Sequence, residues 1–201
     1  MSSSTITPDV VDSTPARRPA SVMALLFAAG AAMSITLGVY GRVHEPTNRK
    51  IFQLGFSGMP NMKIWLASVA MVLGLLQLLS ALTMWNKLPL LSSRPKVVAP
   101  LHRWAGTLAF VVTIPIAYHC LWSIGFNTRL AGDAHDPRRL IHSLAGCLFY
   151  GAFTTKMLSL RTRRLPRWML PVVGGLTFTA LVIVWTTSSL WWFTRVEFPA
   201  F

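Results

Sequence analysis

Residues 64–85 read IWLASVAMVLGLLQLLSALTMW, a run without an acidic, basic or histidine side chain, bounded by Lys63 and Lys87. A helix rises ~1.5 Å per residue and the hydrocarbon core of a bilayer is ~30 Å thick, so about 20 consecutive apolar residues suffice to cross it. The run therefore predicts a transmembrane helix. Working outward, four more stretches have this character. The first is centred on Ala24 to Tyr40, between Arg18 and Arg42, and is read as a retained helix rather than a cleaved leader. The third runs from Trp104 to Ile124. The fourth runs from Leu140 to Leu160, with Lys156 near enough to its end to snorkel, and the fifth from Trp168 to Phe193. The expected fold class is all-α, an integral membrane bundle of five helices within residues 21–194. Residues 1–20 are expected to be a disordered cytoplasmic tail, too polar to bury a core, and 195–201 a short extracytoplasmic one.

Composition agrees. The chain has 201 residues, of which 53% are hydrophobic and 12% charged, and its mean hydropathy is +0.50. That leaves too few ionisable groups to cover a water-soluble globule. The net charge of +13 does not point to nucleic acid, because the basic residues sit in short clusters between apolar runs rather than on one wet face. Cys120 and Cys147 both fall inside apolar runs, so no disulfide framework is written here, and the lack of CxxCH excludes a covalently attached haem.

Orientation follows from the basic residues of the short loops. Of the 19, 11 fall in the N-terminal tail, the loop from Asn86 to Arg103, and the end of the fourth helix through Arg167. This bias places the N-terminus inside and the C-terminus outside. Trp65, Trp85, Trp104, Trp122, Trp168, Trp191 and Trp192 lie near span ends, as aromatic belts require.

Ionisable residues at membrane depth are costly and are functional candidates by default. His119 lies near the outer end of the third helix and His142 in the first turns of the fourth; the short connection predicts antiparallel neighbours with both imidazoles at similar depth. Two facing imidazoles suit a six-coordinate b-type haem, and Gly146, on the face of His142, would let a flat macrocycle approach. Arg129, Arg138 and Arg139 are candidates for pairing with its propionates. The bland alternative is that the two histidines hydrogen-bond across the bundle. His102 lies about 25 Å along the helix from His119, and at its depth the fourth helix offers only Lys156 and Met157, so a second haem is not expected. His44 and His102 are lesser candidates for an iron ligand. His135 is expected to be a loop residue that could contact a quinone. No P-loop, dinucleotide glycine signature, HExxH or nucleophile elbow is present, and no carboxylate lies within a span.

His102-Arg103-Trp104-Ala105-Gly106, Tyr118-His119-Cys120 and His142-Ser143-Leu144-Ala145-Gly146 together resemble the haem-bearing helix pair of b-type transmembrane cytochromes over about 60 residues. More closely, Leu101 to Phe193 resembles a family of small actinobacterial membrane proteins of unassigned function. The resemblance implies one haem b between helices three and four, towards the extracytoplasmic side of a bacterial cytoplasmic membrane. It implies an electron-transfer protein or oxidoreductase subunit of a respiratory chain, exchanging electrons with a respiratory or extracytoplasmic redox partner protein or with a quinone. The competing expectation is an anchor or assembly subunit without haem of its own.

Overall fold

A computed structural model describes residues 19–88, 96–126, 136–162 and 165–195. Every regular element among them is helical: α1 (Pro19–Val43), α2 (Met59–Met84), α3 (Val98–Tyr118), α4 (Pro137–Arg161), α5 (Met169–Trp185) and a last short turn α6 (Trp191–Arg195). α3 runs on without a break into a π-helical turn, His119–Ile124, and α5 reaches α6 through another, Thr186–Leu190. The molecule is thus five rods. The expected tails at 1–18 and 196–201 lie outside the described residues, and Pro19 and Ala20 open α1.

Four rods, α1, α2, α3 with its π turn, and α5 through α6, are long and apolar enough to cross a membrane. The fourth expected span is a helix, but α4 does not meet that measure. It holds Arg138, Arg139, His142, Lys156 and Arg161 within 25 residues. Its start is set earlier than expected. Asp136 caps it by accepting from the Arg138 and Arg139 amides at 3.0 and 3.4 Å, and Pro137 occupies the first turn, where its missing N–H costs nothing.

Neighbouring rods alternate in direction. α2 packs on α3 and α5, α4 packs on α1 and α5, and α1 closes onto the π turn after α3. α3 and α4 are not the close backbone neighbours expected. Large side chains bridge them: Tyr150 Oη donates to the Thr113 carbonyl and contacts Thr113 Oγ1, both at 3.0 Å, and Phe110 stacks on Phe153 at 4.3 Å. Tyr150→Phe should therefore cost about 1 kcal/mol, typical of a hydrogen bond between membrane helices; an unchanged unfolding midpoint in detergent would count against this bridge.

The packing is inside out. Ala70, Ala105, Ala109, Ala145, Ala152 and Ala180 are buried, whereas Ile35, Val39, Val72, Leu108 and Val111 are exposed. Small residues let helix backbones approach, and large apolar ones on the outside suit a lipid solvent. α1 and α4 meet most closely at Gly30 and Gly151, where a Cβ on Gly30 would stand 2.6 Å from the Gly151 carbonyl oxygen. Ser34 Oγ adds a bond to the Cys147 carbonyl at 3.0 Å.

Residues 44–58 lie over the end of the bundle where α1 finishes and α4 starts, called here the far end. A helix C-terminus leaves carbonyls without intrahelical partners. Those of Trp122 and Ser123 accept from the amides of Thr47 at 3.3 Å and Asn48 at 3.0 Å. Gly125, at φ +64°, turns the chain out of the helix, and the next amide, of Phe126, donates to the Gly41 carbonyl at 2.8 Å.

Candidate functional site

Among the described residues, the far end gathers three histidines, His142, His119 and His44. His142 Nδ1 lies 3.0 Å from Thr187 Oγ1. The single hydrogen of Thr187 goes to the Ile183 carbonyl at 2.6 Å, so the hydroxyl can only accept from the imidazole. His142 is therefore the Nδ1–H tautomer. The ring also hydrogen-bonds the Val184 main chain.

That arrangement is held from outside. Arg138 donates to the Thr187 carbonyl, lies 4.0 Å above the Trp191 ring, and meets Asp136 Oδ2 at 3.4 Å. Arg139 joins the same carboxylate through Nε at 3.1 Å and is otherwise the freer of the two. Thr187 lies in the π turn of α5, an element in which the loosened i→i+4 ladder often marks a working site.

His119 is completely buried. Its Nε2 is 3.0 Å from the Phe52 carbonyl, which can only accept, so this nitrogen carries a hydrogen. Its Nδ1 is 3.2 Å from Ser123 Oγ, and that hydroxyl also reaches the Arg49 carbonyl at 2.8 Å. His119 Nε2 and Ser123 Oγ thus pin residues 44–58 onto the π turn of α3, and the one Ser123 hydrogen, given to Arg49, is not available to Nδ1. No hydrogen bond or ring contact joins His119 to His142 among the described residues. His44 stacks between Tyr40 at 4.8 Å and Trp122 at 4.9 Å, and its Nε2 is buried with no hydrogen-bond partner among the described residues.

Gly146 has nothing within 4 Å of where a Cβ would stand. Arg129 and His135 lie outside the described residues. At the opposite end, His102 Nδ1 donates to Ser80 Oγ at 2.8 Å, because the Ser80 hydrogen goes to the Leu76 carbonyl at 2.6 Å. Gln77 Nε2 donates to the His102 carbonyl, and Lys156 Nζ lies 3.4 Å from Gln77 Oε1. Gln77 and Ser80 escaped the sequence reading, since isolated polar residues in an apolar run carry no spacing signal.

Were two imidazoles to hold a haem here, His142 would bring the orienting bonds that iron-binding imidazoles characteristically make, whereas His119 Nε2 is taken by the Phe52 carbonyl.

Apolar rods with small residues inside and large ones outside define a helical membrane protein. Residues 23–200 match DUF6529, a family of unknown function, and the chain belongs to that family. No curated protein and no solved structure matches it.

Proposed function

We propose that this chain is a multi-pass membrane electron-transfer protein, or the membrane subunit of a respiratory oxidoreductase, with one haem b at the far end of the bundle. The observation that carries the reading is His142, whose ring is oriented by Thr187 and by the Val184 main chain, as outer partners orient an iron-binding imidazole. His119 is the proposed opposite ligand, giving up the Phe52 carbonyl to serve, and Gly146 leaves room beside His142. Arg139 is the better placed of the two described arginines for a propionate. A haem there supplies a one-electron carrier on one side of the membrane, so the chain needs a redox partner or quinone on that side.

All five rods are proposed to span. α4 lies between α1 and α5 and repeats the inside-out pattern, with Leu140, Ile141, Leu144 and Leu160 exposed while Thr155 and Ser159 are buried. Exposed Trp85, Trp104 and Trp168 at one end and Trp122 and Trp191 at the other suit two interfacial belts. The positive-inside bias puts the far end outside, at a bacterial cytoplasmic membrane.

A second reading has its own support. The bonds of His119 to Phe52 and Ser123 are those of a structural pin, and a haem-free anchor or assembly subunit needs nothing more. Protein purified from haem-sufficient cells in mild detergent separates the two. A dithionite-reduced minus oxidised difference spectrum of b type is expected. A colourless protein that co-purifies with a stable complex overturns the haem and favours the anchor.

A further inference from the structure

A groove runs along the bundle on the side away from the histidine site. α1 meets the α3 rod through its π turn, and below that α4 forms the floor between α1 and α3. Met33, Phe110, Tyr150, Phe153, Met157 and Arg161 line this groove, which encloses about 330 Å³. The stacked rings of Phe110 and Phe153, 7° from parallel, make a flat apolar wall. Tyr150 closes the mid-membrane end with its hydroxyl turned to Thr113, so it offers the groove no donor.

Arg161 in the last turn of α4 is the one charged residue of the lining, exposed and without an ion pair among the described residues. The eleven steps from Tyr150 to Arg161 rise ~16 Å, about half of the ~30 Å hydrocarbon core. The groove is thus one leaflet deep, apolar except at Thr154, whose hydroxyl donates to the Tyr150 carbonyl, and cationic where headgroups lie. Arg167, six residues on, is a further basic residue at this end of the chain's fourth helix. Basic residues beside a groove between membrane helices attract anionic headgroups.

We propose that this groove binds an anionic phospholipid, with an acyl chain along Phe110, Phe153 and Met33 and the phosphate at Arg161. A quinone headgroup would need a polar partner at the buried end, where Tyr150 is already committed.

The test is native mass spectrometry of the full chain in neutral detergent with equal mole fractions of phosphatidylglycerol and phosphatidylcholine. Retention of phosphatidylglycerol should exceed that of phosphatidylcholine by about fivefold, the worth of one basic side chain at the surface. Arg161→Gln should bring the two level and Arg161→Lys should restore the preference. Met157→Trp, which fills the groove but keeps the charge, should reduce retention of both lipids. Equal retention by the wild type, or an undiminished preference in Arg161→Gln, overturns the proposal. So does displacement by chain-free glycerophosphoglycerol at the lipid's own concentration, which would assign a phosphate site alone, or displacement by menaquinone, which would assign the groove to quinone. Circular dichroism of each variant shows whether it is folded, and the Arg161→Lys rescue cannot arise from misfolding.

Discussion

Replacing His142 by alanine is expected to abolish the b-type difference spectrum while leaving the chain folded. The imidazole bonds only Thr187 and the Val184 main chain, both on the rod of α5, so its loss opens no wide network. Thr187→Val tests the second half of the idea. It removes the side chain that orients the ring, and loss of such an orienting partner typically weakens metal binding about 10-fold to 100-fold. Haem content should fall on dilution in Thr187→Val, and Thr187→Ser, which restores the hydroxyl, should recover it. If His142→Ala keeps the wild-type spectrum, His142 is not a ligand. His119→Ala is less clean, because it also frees residues 44–58 from the π turn.

Gly151→Leu is expected to unseat α1. A Cβ on Gly151 would stand 2.5 Å from the Gly30 carbonyl oxygen and 3.2 Å from Ser34 Cβ, and backbone cannot swing aside as a flexible side chain can. Overpacking of this kind costs typically ~1–3 kcal/mol. Cys147 reports it. That thiol is 7% exposed beneath α1, and Ser34 bonds its carbonyl. Labelling by a membrane-permeant thiol reagent should accelerate at Cys147 by more than at Cys120, which lies in the π turn after α3. Gly174→Leu, at a glycine with nothing within 4 Å of its Cβ position, should change neither rate. Equal labelling in Gly151→Leu and wild type would mean that α1 is not held at this crossing.

The rods were legible because a length of apolar sequence is itself the cause of a spanning helix. Which rods touch was not legible, because contact depends on which face carries the small residues, and all faces of these helices are apolar. The expected partnership of α3 and α4 rested on a short connection, and the structure gives α3 to α2 instead. The histidines show the same limit. Thr113 marks the face of α3 turned to Tyr150, and His119 lies six residues on, about 120° away at ~100° per residue. That arithmetic was available from the sequence, but without Tyr150 as a partner nothing marked the zero of the angle. The role of residues 44–58 was hidden for another reason: they act mainly through main-chain amides and carbonyls, which every sequence supplies. The cap at Asp136 was readable from Asp-Pro-Arg-Arg and was passed over in favour of hydropathy, which begins only at Leu140.

The π turn of α5 has a consequence for how the protein tolerates change in length. Five residues, Thr186–Leu190, take the wider winding, so the rod holds one residue more than an α-helix of the same rise would. Ser68 bonds Trp185 ahead of the turn, and Arg138 covers Trp191 beyond it. Two anchors therefore fix the phase of the rod on either side of a stretch that takes up the mismatch. Deleting one residue there would let the ladder close as ordinary α-helix and keep Trp191 over Arg138, whereas deleting one residue from the α-helical part of the rod would turn Trp191 about 100° away. The segment works as a length buffer: it takes up one residue without changing what α4 meets at the end of α5.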